Sequence, residues 1–211
     1  YDLATVIAGG TTENTPKPTK EIPSGLHEFT CAVWGPLNKT LYVGTKTGRV
    51  LIIDVGSCST IKDSQIHTSE IYQLTMSHDF TMLFTAARDG CSKLLHPETF
   101  EEVRQYDFGS RPCRTVAVSP LHDSQEWQKF HCLIGGVGRK DVALTDEGAG
   151  GFEIRLNSII FSEQLAEIHG HFGPVHTLDF SPDGFAFASG GEDGYVHYHR
   201  FPPEYFTNDF E

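Results

Sequence analysis

The chain has 211 residues, of which 38% are hydrophobic and 21% charged. This balance indicates a folded protein and excludes an intrinsically disordered chain, which would combine low hydrophobicity with high net charge. The net charge of −12 repels phosphate backbones, so the composition also disfavours direct nucleic-acid binding.

The cysteines and the apolar runs limit the cellular context. No apolar run approaches the ~20 residues that cross a bilayer, so we expect no membrane span. The first residues, Tyr1-Asp2-Leu3, carry neither a methionine nor a targeting segment, which predicts the middle of a longer chain. The cysteines are odd in number, widely spaced and without a C-x-x-C pair, which predicts buried free thiols and a cytoplasmic protein. They are Cys31, Cys58, Cys91, Cys113 and Cys132.

Two sets of turn residues recur along the chain with one period. Strand-like segments end in polar turns marked by Gly35, Ser77, Ser119 and Ser181. The first three of these residues are 42 residues apart, and the last interval is longer. The turn glycines Gly48 and Gly90 are also 42 residues apart, and Gly194 lies in the last copy. Two markers with the same spacing predict a repeat architecture.

The last copy shows the pattern within one repeat. Alternating segments at 175–180, 185–189 and 195–199 are separated by the turns at 181–184 and 192–194. Asp-Gly between alternating segments is a strong hairpin signal, and proline or glycine interrupts nearly every window long enough for a helix. The chain is therefore predicted to be all-β. A period of 40–45 residues with four strands per copy is typical of a WD-type β-propeller.

A recurring set of polar residues carries the WD pattern. His171, Ser189 and Asp193 lie where WD blades place the histidine before the first strand, the hydroxyl on the second and the aspartate of the next turn. An earlier copy supplies His67, Thr85 and Asp89. We predict a structural hydrogen-bond network in both of these copies, with His199 in the place of the usual tryptophan in the last one.

Two chemical alternatives share these residues. Ser189, His171 and Asp193 are also the residue types of a serine hydrolase, but no G-x-S-x-G elbow surrounds Ser189, and an active site would not be copied between blades. The pairs His169-x-His171 and His197-x-His199 suggest zinc chelation, but no carboxylate or cysteine stands at ligand spacing beside them in the sequence. We therefore expect no catalytic residue, no metal and no cofactor.

The segments at 189–196, 170–175 and 201–206 together resemble the carboxyl end of the family of subunit I of translation initiation factor 3. The segments at 32–37, 81–86 and 152–155 resemble it in the same order, over roughly residues 29–206. The resemblance implies a seven-bladed propeller of which this chain is a truncated or partly represented portion. The implied divisions are 1–25 for the end of blade three and a linker, 26–66 for blade four, 67–108 for blade five, 109–168 for blade six with insertions, and 169–211 for blade seven and a tail.

The resemblance also implies a function. It predicts a non-catalytic scaffold within initiation factor 3 that docks subunits B and G at the small ribosomal subunit. Loops on one face of the predicted disc combine carboxylates with apolar side chains, which suits a basic or amphipathic partner helix. The candidate partner-binding residues are Asp79, Phe80, His96, Glu98 and Asp123. A WD adaptor in receptor-kinase signalling is the alternative binding module.

Two further segments carry predictions. The insertion at 121–130 is expected to lengthen a loop of blade six and either to offer Trp127 as a contact or to pack it back onto the blade edge. The aromatic tail at 205–210 is expected either to pair as an edge strand or to plug against a neighbouring blade.

Overall fold

The computed structural model describes residues 20–109, 111–124, 128–136, 152–161 and 163–207, apart from the side chain of Asp123. Predictions that involve the linker before residue 20, Trp127 and the end of the tail fall outside these residues. The predicted blade boundaries stay a prediction.

The described chain forms four antiparallel sheets in sequence order, three with four strands and the last with three. Within each sheet, consecutive strands are neighbours. The strands of the first two sheets are β1 Phe29–Trp34, β2 Thr40–Thr45, β3 Arg49–Asp54, β4 Ser59–Gln65, β5 Ile71–Met76, β6 Leu83–Ala87, β7 Cys91–Leu95 and β8 Glu102–Asp107. Those of the last two are β9 Thr115–Val118, β10 His131–Gly135, β11 Ile154–Ser158, β12 Gln164–Ile168, β13 Val175–Phe180, β14 Ala186–Gly191 and β15 Val196–Arg200.

The first strands of the four sheets run side by side. The Thr30 hydroxyl on β1 donates to the carbonyl of Ile71 on β5 at 2.6 Å. The Thr75 hydroxyl on β5 donates to the carbonyl of Val116 on β9 at 2.9 Å. The N–H of Leu178 on β13 donates to a hydroxyl on β9 at 3.0 Å. The sheets therefore meet at their first strands, as blades of a propeller do around its axis.

Apolar layers fill the space between neighbouring sheets. One layer, around Ile71 and Leu83, joins the first two sheets; a second, around Phe84 and Ile134, joins the second and third. A third, around Leu133 and Phe187, joins the third and fourth. All five residues of β6 are buried, because this strand contributes side chains to a layer on each of its faces. The prediction of an all-β, WD-type propeller is confirmed.

The repeated turn glycines are required by the backbone. Gly48, Gly90 and Gly194 have φ of 84°, 88° and 81°, in the left-handed region that glycine adopts without strain. A Cβ at Gly48 would also collide with the carbonyl oxygen of His67. Each of these glycines therefore forms a tight turn between the second and third strands of its sheet, and this turn explains their regular spacing.

The tail forms a short helix rather than an edge strand. Helix α1, Pro203–Thr207, follows β15. Tyr205 is buried: its ring stacks on Phe201 at 4.2 Å, and its hydroxyl lies 2.6 Å from Nδ1 of His131 on β10. Pro202 and Pro203 stop the strand and turn the chain, so that the aromatic side chains pack against the third sheet.

The prediction of buried free thiols holds for two of the five cysteines in the described residues. All five cysteines lie in this part of the chain as free thiols; Cys113 and Cys132 are buried, and the other three are partly buried. Burial raises the pKa of the Cys132 thiol to about 12. No helix in the described segments is long and apolar enough to cross a membrane.

Candidate functional site

The polar network of the last sheet joins three chain segments. His171 precedes β13, Ser189 lies on β14, and Asp193 lies in the turn before β15. The His171 Nδ1 atom is 2.9 Å from Asp193 Oδ2, and its Nε2 atom is 2.7 Å from Ser189 Oγ. The imidazole thus connects the loop that enters the sheet with its middle strand and the following turn.

Hydrogen bonds determine the protonation of this network. Asp193 also accepts the backbone N–H groups of Phe172 at 2.9 Å and Tyr195 at 3.1 Å. Burial raises the pKa of Asp193, but these donors together with His171 lower it to about 2. Because the carboxylate only accepts, Nδ1 of His171 donates to it, and in the neutral imidazole Nε2 accepts from the Ser189 hydroxyl.

The second sheet contains the same arrangement at the same sequence separations. His67 Nε2 lies 2.6 Å from Thr85 Oγ1, and its Nδ1 lies 3.0 Å from Asp89 Oδ2. Burial raises the pKa of Asp89, but the His67 contact and the N–H groups of Thr68 and Cys91 lower it to about 2. Hydroxyl and carboxylate follow the histidine by 18 and 22 residues in both sheets.

The arrangement favours a structural role over nucleophilic catalysis. Ser189 is only 1% exposed, and Thr85 is fully buried. A catalytic serine must reach a substrate carbonyl beside an oxyanion hole, whereas these hydroxyls are buried and bonded to the histidine rings. The network occurs in two sheets, once with threonine in place of serine, as expected for a structural feature of a repeated blade.

His199, predicted to complete the network, lies elsewhere. It pairs in register with Phe187, not with Ser189, and its ring stacks on Phe187 at 4.7 Å. Among the described residues its ring nitrogens have no hydrogen-bond partner. His197 is the residue opposite Ser189, and its ring stacks on His171 at 4.2 Å. The sequence prediction therefore identified the right strand but the wrong histidine.

The predicted partner-binding residues divide into two groups. Phe80, His96 and Glu98 line one surface groove of about 350 Å³. Its other walls, which the sequence analysis missed, come from Pro36 and Tyr42 of the first sheet, with Thr81 and Pro97. Tyr42 lies on an apolar strand and resembles a core residue in the sequence, so its contribution depends on how the two sheets stack.

Asp79 lies beside this groove, but its carboxylate is engaged within the chain. It accepts from the Ser77 hydroxyl at 2.6 Å and from the Thr81 hydroxyl at 2.8 Å. Nε2 of the buried His122, in the third sheet, lies 3.2 Å from it. Burial raises the pKa of Asp79, but these contacts hold it well below its usual range. Asp79 thus holds its turn and faces the next sheet.

Asp123 ends a 3-10 turn at 120–123 on the loop after β9. Its side chain is outside the described part of the structure, so its role in partner binding stays a prediction. His96 is exposed; its Nδ1 accepts the N–H groups of Glu98 and Thr99, both at 3.3 Å. One edge of this imidazole therefore orders the turn while the ring lines the groove.

Comparison with known proteins agrees with the fold. The family model "WD domain, G-beta repeat" matches residues 162–199. The structure of U3-55K superposes with a TM-score of 0.68 over 87% of this chain and 52% of that one, at 13% identity. Identity this low shows a shared fold alone.

Sequence relatives extend over nearly the whole chain. Eukaryotic translation initiation factor 3 subunit I of Xenopus laevis is 36% identical over 197 residues, that of Drosophila willistoni 38% over 196, and that of Homo sapiens 35% over 197. Each alignment covers 92% of this chain and 58% of the relative, so the chain spans less than two thirds of these proteins. The repeated sheets and these comparisons together show a chain that contains a WD40 repeat and is similar, over 92% of its length, to subunit I of eukaryotic translation initiation factor 3.

Proposed function

We propose that this chain belongs to a non-catalytic scaffold subunit of eukaryotic initiation factor 3, which docks subunits B and G at the small ribosomal subunit in the cytoplasm. The observation that carries the proposal is the 36% identity to subunit I over 92% of the chain. The buried networks support the non-catalytic part, because their serine and threonine hydroxyls are inaccessible to a substrate.

We place partner docking at the groove between the first two sheets. The Phe80 side chain is 40% exposed there, beside the carboxylate of Glu98. An apolar anchor next to a negative charge suits a partner helix that carries an apolar residue and a basic residue. The loops that form the groove are held by internal hydrogen bonds, including those of Asp79 and His96. Docking therefore costs the partner more conformational entropy than it costs this chain.

The test replaces Phe80 by asparagine. Phe80 has φ of 60°, a conformation that asparagine tolerates better than most residues, so Phe80→Asn should leave the fold intact. If docking buries the exposed 40% of a phenylalanine, roughly 80 Å² of apolar surface is lost. At about 25 cal/mol per Å², this weakens binding by about 2 kcal/mol, or about 30-fold.

Phe172→Asn is the matched control. Phe172 is 86% exposed and lies beside the turn between β14 and β15, whereas Phe80 lies in the turn between β5 and β6, at the opposite end of the strands. Co-purification with subunits B and G should be lost for Phe80→Asn and kept for Phe172→Asn. Equal capture by both variants would refute the choice of face, and capture of a receptor kinase in place of these subunits would favour the adaptor alternative.

A further inference from the structure

The network of the last sheet has a third potential metal ligand, a second imidazole, that its counterpart lacks. Donor atoms of His171, Asp193 and His197 all lie within 4.8 Å of one another. His197 is the register partner of Ser189, whereas in the second sheet the partner of Thr85 is Lys93. A lysine ammonium is a poor ligand for a metal ion, so the two networks differ in one chemically decisive position.

We propose that His171, Asp193 and His197 form a binding site for a divalent transition-metal ion such as Zn²⁺. Two imidazoles and one carboxylate are a ligand set that zinc accepts, with water in the fourth position. With both imidazoles neutral, the set carries one negative charge from Asp193. Nothing in the similarity to known proteins assigns a metal to these residues.

Binding requires the His171–Asp193 pair to separate and the His197 ring to turn out of its stack on His171. Ligand bonds of about 2.0–2.2 Å in a tetrahedron place neighbouring donors roughly 3.4 Å apart. His171 Nδ1 and Asp193 Oδ2, now 2.9 Å apart, must separate by about half an ångström. His197 must approach the pair by rotation of its side chain, which lies on a strand that is unpaired on its outer side in the described structure.

Two glycines lie against the donor atoms. A Cβ at Gly191 would come 2.6 Å from His171 Nδ1 and 2.9 Å from Asp193 Oδ1. A Cβ at Gly170 would come 3.0 Å from His197 Nδ1. A side chain at either position would therefore crowd the donor atoms, and glycine avoids this.

The hydrogen bond to Ser189 remains available when the ion binds. The ion takes the place of the proton on His171 Nδ1, and the ring changes tautomer so that the proton resides on Nε2. Nε2, 2.7 Å from Ser189 Oγ, then donates to the hydroxyl instead of accepting from it. This is the arrangement in which a metal-bound histidine is oriented by a partner at its other nitrogen.

The experiment titrates the untagged full chain with Co²⁺, followed by visible absorption, and with Zn²⁺, followed by calorimetry. His197→Phe keeps a ring that can stack on His171 and removes the ligand. His199→Phe, two residues further along β15, is the matched control because its ring stacks on Phe187 outside the cluster. Circular dichroism checks that both variants fold.

We expect one ion per chain in the wild type and in His199→Phe, with affinity at least tenfold weaker in His197→Phe. Equal affinity in His197→Phe, or the lack of any saturable binding by the wild type, would overturn the proposal. A thiolate-to-cobalt charge-transfer band would do so as well, because it would assign the ion to the cysteines.

Discussion

The contribution of the buried networks to stability can be measured at the His67–Thr85 hydrogen bond of the second sheet. Both side chains are fully buried, and the two atoms are 2.6 Å apart. Thr85→Val keeps the volume of the side chain and removes its hydroxyl. His67→Phe keeps a ring and removes both nitrogen contacts.

The magnitude follows from which partners remain. Thr85→Val leaves Nε2 of His67 buried without a partner, which costs about 1–3 kcal/mol. His67→Phe leaves the Thr85 hydroxyl with its two contacts to the Lys93 backbone, each at 3.3 Å, and leaves Asp89 with the N–H groups of Thr68 and Cys91. It should therefore cost about 2–3 kcal/mol through the lost bonds. The double variant should cost about 1–2 kcal/mol less than the sum of the single ones, because both partners of the shared bond are gone.

Urea unfolding followed by far-ultraviolet circular dichroism gives the four free energies of the cycle. Thr85→Val combined with His171→Phe is the control, since His171 belongs to the separate network of the last sheet, and these changes should add within about 0.5 kcal/mol. A coupling between His67 and Thr85 below about 0.5 kcal/mol would refute the structural role of the network.

Three further predictions concern pH, a turn and an acidic side chain. Burial, with the charge of a neighbouring lysine, lowers the pKa of His131 to about 4 from the ordinary histidine value of 6.5. Between these two pH values unfolding takes up a proton, so stability should fall as the pH drops from 6.5 to 4. His131→Gln should flatten this dependence in urea titrations. Gly48→Ala should destabilise the fold by more than about 2 kcal/mol because its Cβ meets backbone, whereas Gly109→Ala, where the space is open, should cost only about 1 kcal/mol in the same titrations. Asp79→Lys should lower the melting temperature by several degrees, because it removes three hydrogen bonds of its turn; an unchanged melting temperature would contradict the role assigned to this carboxylate.

The sequence alone determined the local architecture. The period of the turn glycines predicted tight turns at Gly48, Gly90 and Gly194, and each has positive φ. The separations of 18 and 22 residues in the two networks are properties of a single repeat, since the loop, the strand and the turn that carry the histidine, hydroxyl and carboxylate are consecutive in the chain. Such spacings can be predicted from sequence because the geometry of consecutive hairpins determines them.

Only the tertiary structure decided the contacts between repeats. The sequence offered Asp79 as a partner-binding residue, but the stacking of sheets brings His122 to its carboxylate. The sequence left Tyr205 either in an edge strand or packed against a neighbouring blade, and the structure packs it from a short helix against His131, 74 residues earlier. The groove at Phe80 also needs Tyr42 from another sheet. Such pairs leave no periodic trace in the sequence, because they depend on how separate sheets pack, and packing is set by the shapes of many apolar side chains together.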